Sequence, residues 1–149
     1  MYMENVNKLA LDILEKGFVM SLATVDKGGP WVSDVVYVFT TQFELYWKSF
    51  DMCRHSEAIV TNNKVAANIT LTQSHKEPDI GLQLEGTAVK IEGELPEMEE
   101  KLNRKMGKES FVKEGGEAKS GHSWYKLTPS KIEVINQPLL GFKKQQVAL

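Results

Sequence analysis

In the stretch "IGLQLEGTAVKIEG" (residues 80–93), Ile80, Leu82 and Leu84 share one parity, Val89 and Ile91 the other, and Gly86 stands between them. Side chains alternate across a strand. Apolar positions that change parity at a glycine therefore mark a bulge or sharp bend, the device by which strands turn barrel corners. The pattern favours a closed barrel over a flat sheet.

Immediately before it, "KVAANITLT" (64–72) sets Val65, Ala67, Ile69 and Leu71 at alternate positions, as a half-buried strand should, and "QSHKEPD" (73–79) is a loop. Further upstream, "FVMSLATV" (18–25), the turn "DKGG" and "PWVSDVVYVFT" (30–40) form a hairpin. "FELYWKS" (43–49) continues it as an antiparallel meander, and a short helix over about 54–62 ends at "NN". The chain opens with a helix over about 3–15, where Val6, Leu9, Ala10, Ile13 and Leu14 recur at helical spacing before Gly17. Downstream, "LPEMEEKLNRKMGKESFVK" (95–113) has Pro96 at a helix start and Met98, Leu102 and Met106 on one face. After a flexible "EGGEAKSGH" (114–122), "SWYKLTPSKIEVIN" (123–136) reads as a last strand pair interrupted at Thr128 and Pro129. The sequence shows no internal repeat, low-complexity tract or interdomain linker. The expected fold is mainly β: a small closed or split β-barrel of six or so antiparallel strands with flanking helices, one domain over 1–149.

Charge and cysteine content narrow the function. Eighteen Lys and Arg against twenty Asp and Glu leave a formal charge of −2, so no global field draws in nucleic acid or an anionic membrane. Any anion site must be local. Cys53 is the single cysteine and has no internal disulfide partner. No apolar run approaches the roughly 18–20 residues of a membrane span, and "MYMENVNKLALDIL" lacks the basic flank and apolar block of a signal peptide. The expected setting is cytoplasmic, with neither nucleic acid nor membrane as partner.

The candidate site is "WKSFDMCRH" (47–55). Arg54 and His55 open a helix, whose N-terminus carries roughly +0.5 of an elementary charge, so two cations there require something negative among them. Free N–H groups of the first turn, a planar fork from Arg54, a point charge from Lys48 and a hydroxyl from Ser49 would make a phosphate cradle. The blander reading has Asp51 capping the helix and Arg54 pairing with Glu57 at the surface, an arrangement worth little. Tyr46 and Trp47 lead into the cradle and would set flat apolar surface beside a phosphate; they point to opposite faces, so only one can meet a ligand. His55, His75 and His122 match no zinc spacing with Cys53, and no metal site is expected. G-x-S-x-G, Walker and G-x-G-x-x-G motifs are absent from the sequence. Cys53 beside the cradle is a reactive thiol or, more simply, a small packing residue.

The succession "FVMSLATVDKGGPWVSDVVYV", "LYWKSFDMCRHSEAIVTNNKVAANI", "GLQLEGTAV" and "WYKLTPSKIEVI" resembles the pyridoxamine 5′-phosphate oxidase-like flavoproteins of the FMN-binding split-barrel fold, over about residues 10–136. The resemblance implies a homodimer with two FMN molecules in clefts between the subunits. The family's Ser-Arg-Lys element, which grips the FMN phosphate, falls on Cys53, Arg54 and His55: Arg54 matches, and a constant lysine charge becomes a histidine's pH-dependent one. The family's strand-end hydroxyl falls at Ser49. Trp31, Val32 and Ser33 would lie along the isoalloxazine and ribityl chain, with Lys48 replacing basic residues absent from that strand. By the same resemblance Gln83 stands near a flavin-contacting glutamine and Trp124 closes the cleft from the partner subunit; of the two aromatic residues that run into the cradle, Trp47 is the one expected at the site. The C-terminal "NQPLLGFKKQQVAL" carries no Arg/His pair of the kind that binds substrate phosphate in true oxidases, so vitamin B6 oxidation is not expected. What is implied is an FMN-dependent oxidoreductase acting on a small molecule, with no residue assigned as catalytic. Three alternatives stay open: F420 as cofactor; a low-turnover stress or sensing protein binding flavin or haem, with His55, His75 or His122 as haem ligand; and a cofactor-free dimerisation module.

Overall fold

The computed structural model describes residues 2–108 and 121–149, with only the backbone at 2–4. In chain order the elements are α1 (Tyr2–Lys16), β1 (Val19–Asp26), β2 (Gly29–Phe39), β3 (Leu45–Phe50), α2 (Arg54–Thr61), β4 (Lys64–Thr70), β5 (Ile80–Ile91), α3 (Pro96–Lys105), β6 (His122–Asn136), α4 (Gln137–Leu140) and β7 (Gln145–Gln146). The sheet runs β3-β2-β1-β4-β5-β6, and β3 also pairs with β6, which closes the barrel; β7 adds an edge outside β6. Every pairing is antiparallel. Closure removes the exposed edges that a flat sheet would leave.

The bulge lies where expected, but on the other strand. The β5–β6 register steps from Glu85↔Lys131 to Gly86↔Pro129, so Ser130 is the extra residue. Buried positions on β6 accordingly switch from Tyr125 and Leu127 to Ile132 and Val134, while β5 keeps Leu82, Leu84 and Ala88 inward throughout. Val89 is exposed, and Ile91 packs outside the barrel. The parity change read at Gly86 therefore belongs to its partner. Gly86 is required because a Cβ there would stand 2.2 Å from the Thr128 carbonyl oxygen and 2.8 Å from Pro129 Cα. Pro129, which has no N–H to donate, is accommodated at this irregularity, and β6 runs unbroken over fifteen residues instead of forming two strands.

Helices cover the barrel on different sides. α1 buries Val6, Ala10, Ile13 and Leu14 in the main core, over β5 and β6, and the Tyr37 hydroxyl donates to the Leu14 carbonyl at 2.7 Å. α2 packs mainly on β1 and β5. α3 covers a second cluster on the outer face, made by Val38, Met98 and Trp124 with Tyr46, Ile91 and Leu102 at its margin. Lys101 and Lys105 reach from α3 to the carbonyls of Phe39 and Tyr37 at 3.0 and 2.6 Å, beyond Val36, where β2 loses its β1 partner. Those lysines supply donors to strand carbonyls at the point where the ladder no longer does. The expected third helix ends sooner, with Met106 as its exposed C-cap; residues 109–113 of that helix and 114–120 of the following loop lie outside the described residues. At the C-terminus, β7 is too short to leave a periodic signal, and the Asn7 amide clasps Ala148 by two 3.0 Å hydrogen bonds. No helix among the described residues is long and apolar enough to cross a membrane.

Candidate functional site

The site is built where β3 hands over to α2. Asp51, just after β3, fixes this corner: its N–H donates to the Gly121 carbonyl at 2.7 Å, and its carboxylate accepts from the Tyr125 hydroxyl at 3.0 Å and from Lys90 at 3.3 Å. Hydrogen bonding from Ser123 first, with Tyr125 and Lys90, holds the Asp51 carboxyl below the usual carboxylate range. Cys53, with extended backbone, is the N-cap of α2, and its side chain makes no capping bond. Asp51 is thus an anchor for the corner and not the cap of the helix.

Arg54 then extends toward the β1–β2 hairpin. Its Nε donates to Asp26 Oδ2 at 2.9 Å and its Nη2 to Asp26 Oδ1 at 3.1 Å, a bidentate pair. The guanidinium carbon lies 4.5 Å from the centroid of the Trp31 ring. Asp26 is itself preset by the turn, since Gly28 N–H donates to Oδ1 at 2.8 Å. A Cβ on Gly28 would stand 2.9 Å from Arg54 Nη2, so the glycine leaves the space the guanidinium fills. The hydrogen-bonded Arg54 pulls the Asp26 carboxyl below its ordinary value, and Asp26 raises Arg54 in return. An open cleft of about 820 Å³ adjoins the pair, lined by Val25, Lys27, Gly28 and Glu57 among others. Asp26 is a site residue that sequence reasoning misses. Its only local signal is an aspartate two residues before a turn N–H, which the hairpin by itself explains.

The remaining expected residues divide by strand parity. Trp47 and Ser49 point inward with Leu45, whereas Lys48 points outward. Trp47 is fully buried and stacked on Tyr125 at 5.7 Å, so it belongs to the core and has no surface to offer a ligand. Ser49 bonds His55 Nε2 at 2.9 Å beneath α2. Burial lowers the His55 pKa from 6.5, so the residue standing in the family's lysine position is neutral at pH 7. Lys48 pairs with Glu99 of α3 at 2.9 Å and lies 5.8 Å from the Trp124 ring. Trp124 is buried under α3 of its own chain, 3% exposed, which removes it from the role of closing a cleft for a partner. Gln83 faces outward in a row with Asn68 and Glu133, and accepts from Lys144 at 2.6 Å. Val32 is exposed on β2, with Ser33 half-buried beside it. The expected cradle of Lys48, Ser49 and Arg54 is therefore not one cluster: Arg54 with Trp31 makes one group, Ser49 with His55 a second, and Lys48 with Trp124 a third.

The sequence model of the pyridoxamine 5′-phosphate oxidase family matches residues 7–136. The chain belongs to that family. A search of curated proteins found no match. Among solved structures, the general stress protein 26 of Bacillus anthracis superposes with a TM-score of 0.70 at 16% identity, covering 97% of this chain and 99% of that one. A haem-binding protein of Mycobacterium smegmatis gives a TM-score of 0.73 at 18% identity over 95% of this chain and 57% of its own. HutZ, the haem storage protein of Vibrio cholerae, gives 0.68 at 16% over 87% and 94%. At these identities the likeness concerns the fold.

Proposed function

We propose that this chain is a cytoplasmic, homodimeric FMN-binding protein that passes hydride or electrons between the flavin and a small molecule, with each cofactor at the subunit interface. The observation that carries the proposal is Arg54: a guanidinium held on Trp31 at the start of α2, beside an open cleft, with Nη hydrogens directed away from Asp26 still available for a phosphate. The residues fit a flavin in two further respects. Trp31, at 44% exposure and lying against the Arg54 guanidinium, supplies aromatic surface for a ring, and Gly28 keeps the phosphate end clear of a side chain. When bound, the flavin supplies the redox chemistry. The chain binds the phosphate through Arg54, orients that group through Asp26 and Trp31, and limits water through apolar residues of the cleft such as Val25. A second copy of the chain covering Phe50 and Met52, at 53% and 86% exposure, would remove large apolar groups from water.

Purified protein tests this directly. A yellow preparation that releases FMN on denaturation is expected, and FMN at about 100 times its Kd should add roughly 2.7 kcal/mol of stability. Colourless protein that gains no stability from FMN rules the proposal out.

A haem reading has specific support in the neighbours named as haem-binding and haem storage proteins. In this chain His55 is buried and bonded to Ser49, His75 sits on an exposed turn, and His122 packs on Phe50 with ring centroids 3.6 Å apart, so a haem ligand would come from one of these three. A Soret band without flavin fluorescence would select it.

A further inference from the structure

We infer that Asp26 sets how strongly this site discriminates for phosphate, acting as a resident counter-ion that shares Arg54 with any incoming anion. The inference rests on the reading of Arg54 as the phosphate ligand and deepens it. Asp26 occupies the Nε–Nη2 edge of the guanidinium through two bonds, the edge best suited to a bidentate oxyanion. It is not a casual surface contact. Its carboxylate is oriented by the Gly28 N–H at 2.8 Å, the guanidinium lies over Trp31, and Gly28 leaves no Cβ to separate the two charges. Side-chain exposures of 25% for Asp26 and 37% for Arg54 put the pair at the wall of the cleft, within reach of a ligand.

The other charges around the cleft do not change the balance. Lys27 and Arg54 face Asp26 and Glu57, so the lining is formally neutral. A dianionic phosphate arriving here has two options. It can bind the free Nη edge within a few ångströms of a fixed carboxylate, or it can displace Asp26 and leave that carboxylate with the Gly28 N–H alone. Either route weakens the grip on a phosphate while leaving contacts to an uncharged ring and ribityl chain as they are. The native protein should accordingly bind FMN only modestly better than riboflavin, which is FMN without its phosphate.

The test is Asp26→Asn, which keeps an Oδ1 acceptor for Gly28 while deleting the charge, with FMN and riboflavin titrated by fluorescence at two salt concentrations. Removing one full charge beside a dianion should tighten FMN by about tenfold or more, leave riboflavin within about twofold, and make FMN binding more salt-sensitive. A merely structural role for Asp26 would move both ligands together. Asp26→Ser serves as a second variant should the asparagine disturb the turn. Unchanged or weakened FMN binding in folded variants overturns the inference. If neither native protein nor variant takes FMN, the flavin reading fails, and inorganic pyrophosphate then decides the role of Asp26: binding gained in Asp26→Asn and abolished by adding Arg54→Ala upholds it, and no gain overturns it.

Discussion

Gly86→Ala probes the geometry that closes the barrel. The added Cβ would stand 2.2 Å from the Thr128 carbonyl oxygen and 2.8 Å from Pro129 Cα, where ordinary contact begins near 3.4 Å, so the strands must part by more than an ångström at their tightest point. Both obstructing atoms are backbone, and one belongs to a proline beside a bulge, so no side-chain rotation relieves the overlap. At an unhindered site the same substitution would stabilise by about 0.4–1 kcal/mol, through lower entropy of the unfolded chain. Here it should cost about 3–4 kcal/mol, in the upper part of the range for single substitutions, and lower Tm by about 6–16 °C. Urea and thermal unfolding of Gly86→Ala beside Glu85→Ala, an exposed neighbour on the same strand, provide the comparison. A neutral or stabilised Gly86→Ala would refute the close approach and, with it, the placing of the extra residue at Ser130.

Two buried polar groups give further expected outcomes. Tyr37→Phe leaves the Leu14 carbonyl at the end of α1 without its 2.7 Å donor and should destabilise by about 1–2 kcal/mol in denaturant titrations, with little effect on ligand binding. His55 titrates below its ordinary value because it is buried, so the native state binds fewer protons than the unfolded chain. Its contribution is complete above the unfolded pKa near 6.5 and is lost as pH falls from there through the folded value. Unfolding free energy measured from pH 8 downward should therefore decline below about 6.5, and His55→Gln should flatten that part of the profile; an identical slope in the variant would show that another group is responsible.

Much of the barrel is legible in the sequence because alternation of apolar residues survives in β1, β3, β4 and the first half of β5, and turns such as "DKGG" separate them. What a single sequence withholds is pairing. Gly86 announces an irregularity, but only the register shows that Ser130 on the opposite strand is the additional residue, and that Pro129 sits at a bulge where it need not break β6. The site shows the same limit. Arg54 at the helix start is readable from helix electrostatics, while Asp26 lies 28 residues earlier and reaches it only through the fold. Strand parity alone separates Lys48 from Ser49, so a three-residue cradle of those two with Arg54 conflicts with the alternation of β3 itself. Which of Tyr46 and Trp47 enters the core depends on where β3 closes against β6, a non-local fact.

Paired titrations of FMN and riboflavin against native protein and Arg54→Ala decide whether Arg54 binds the phosphate of FMN. Loss of the guanidinium, which also leaves the Asp26 carboxylate unpaired beside the phosphate, should weaken FMN by more than ~1.5 kcal/mol, over tenfold in Kd and to below riboflavin, whose own affinity is little changed. Equal FMN affinity in the two proteins would mean that the phosphate lies elsewhere and that Arg54 serves only the hairpin.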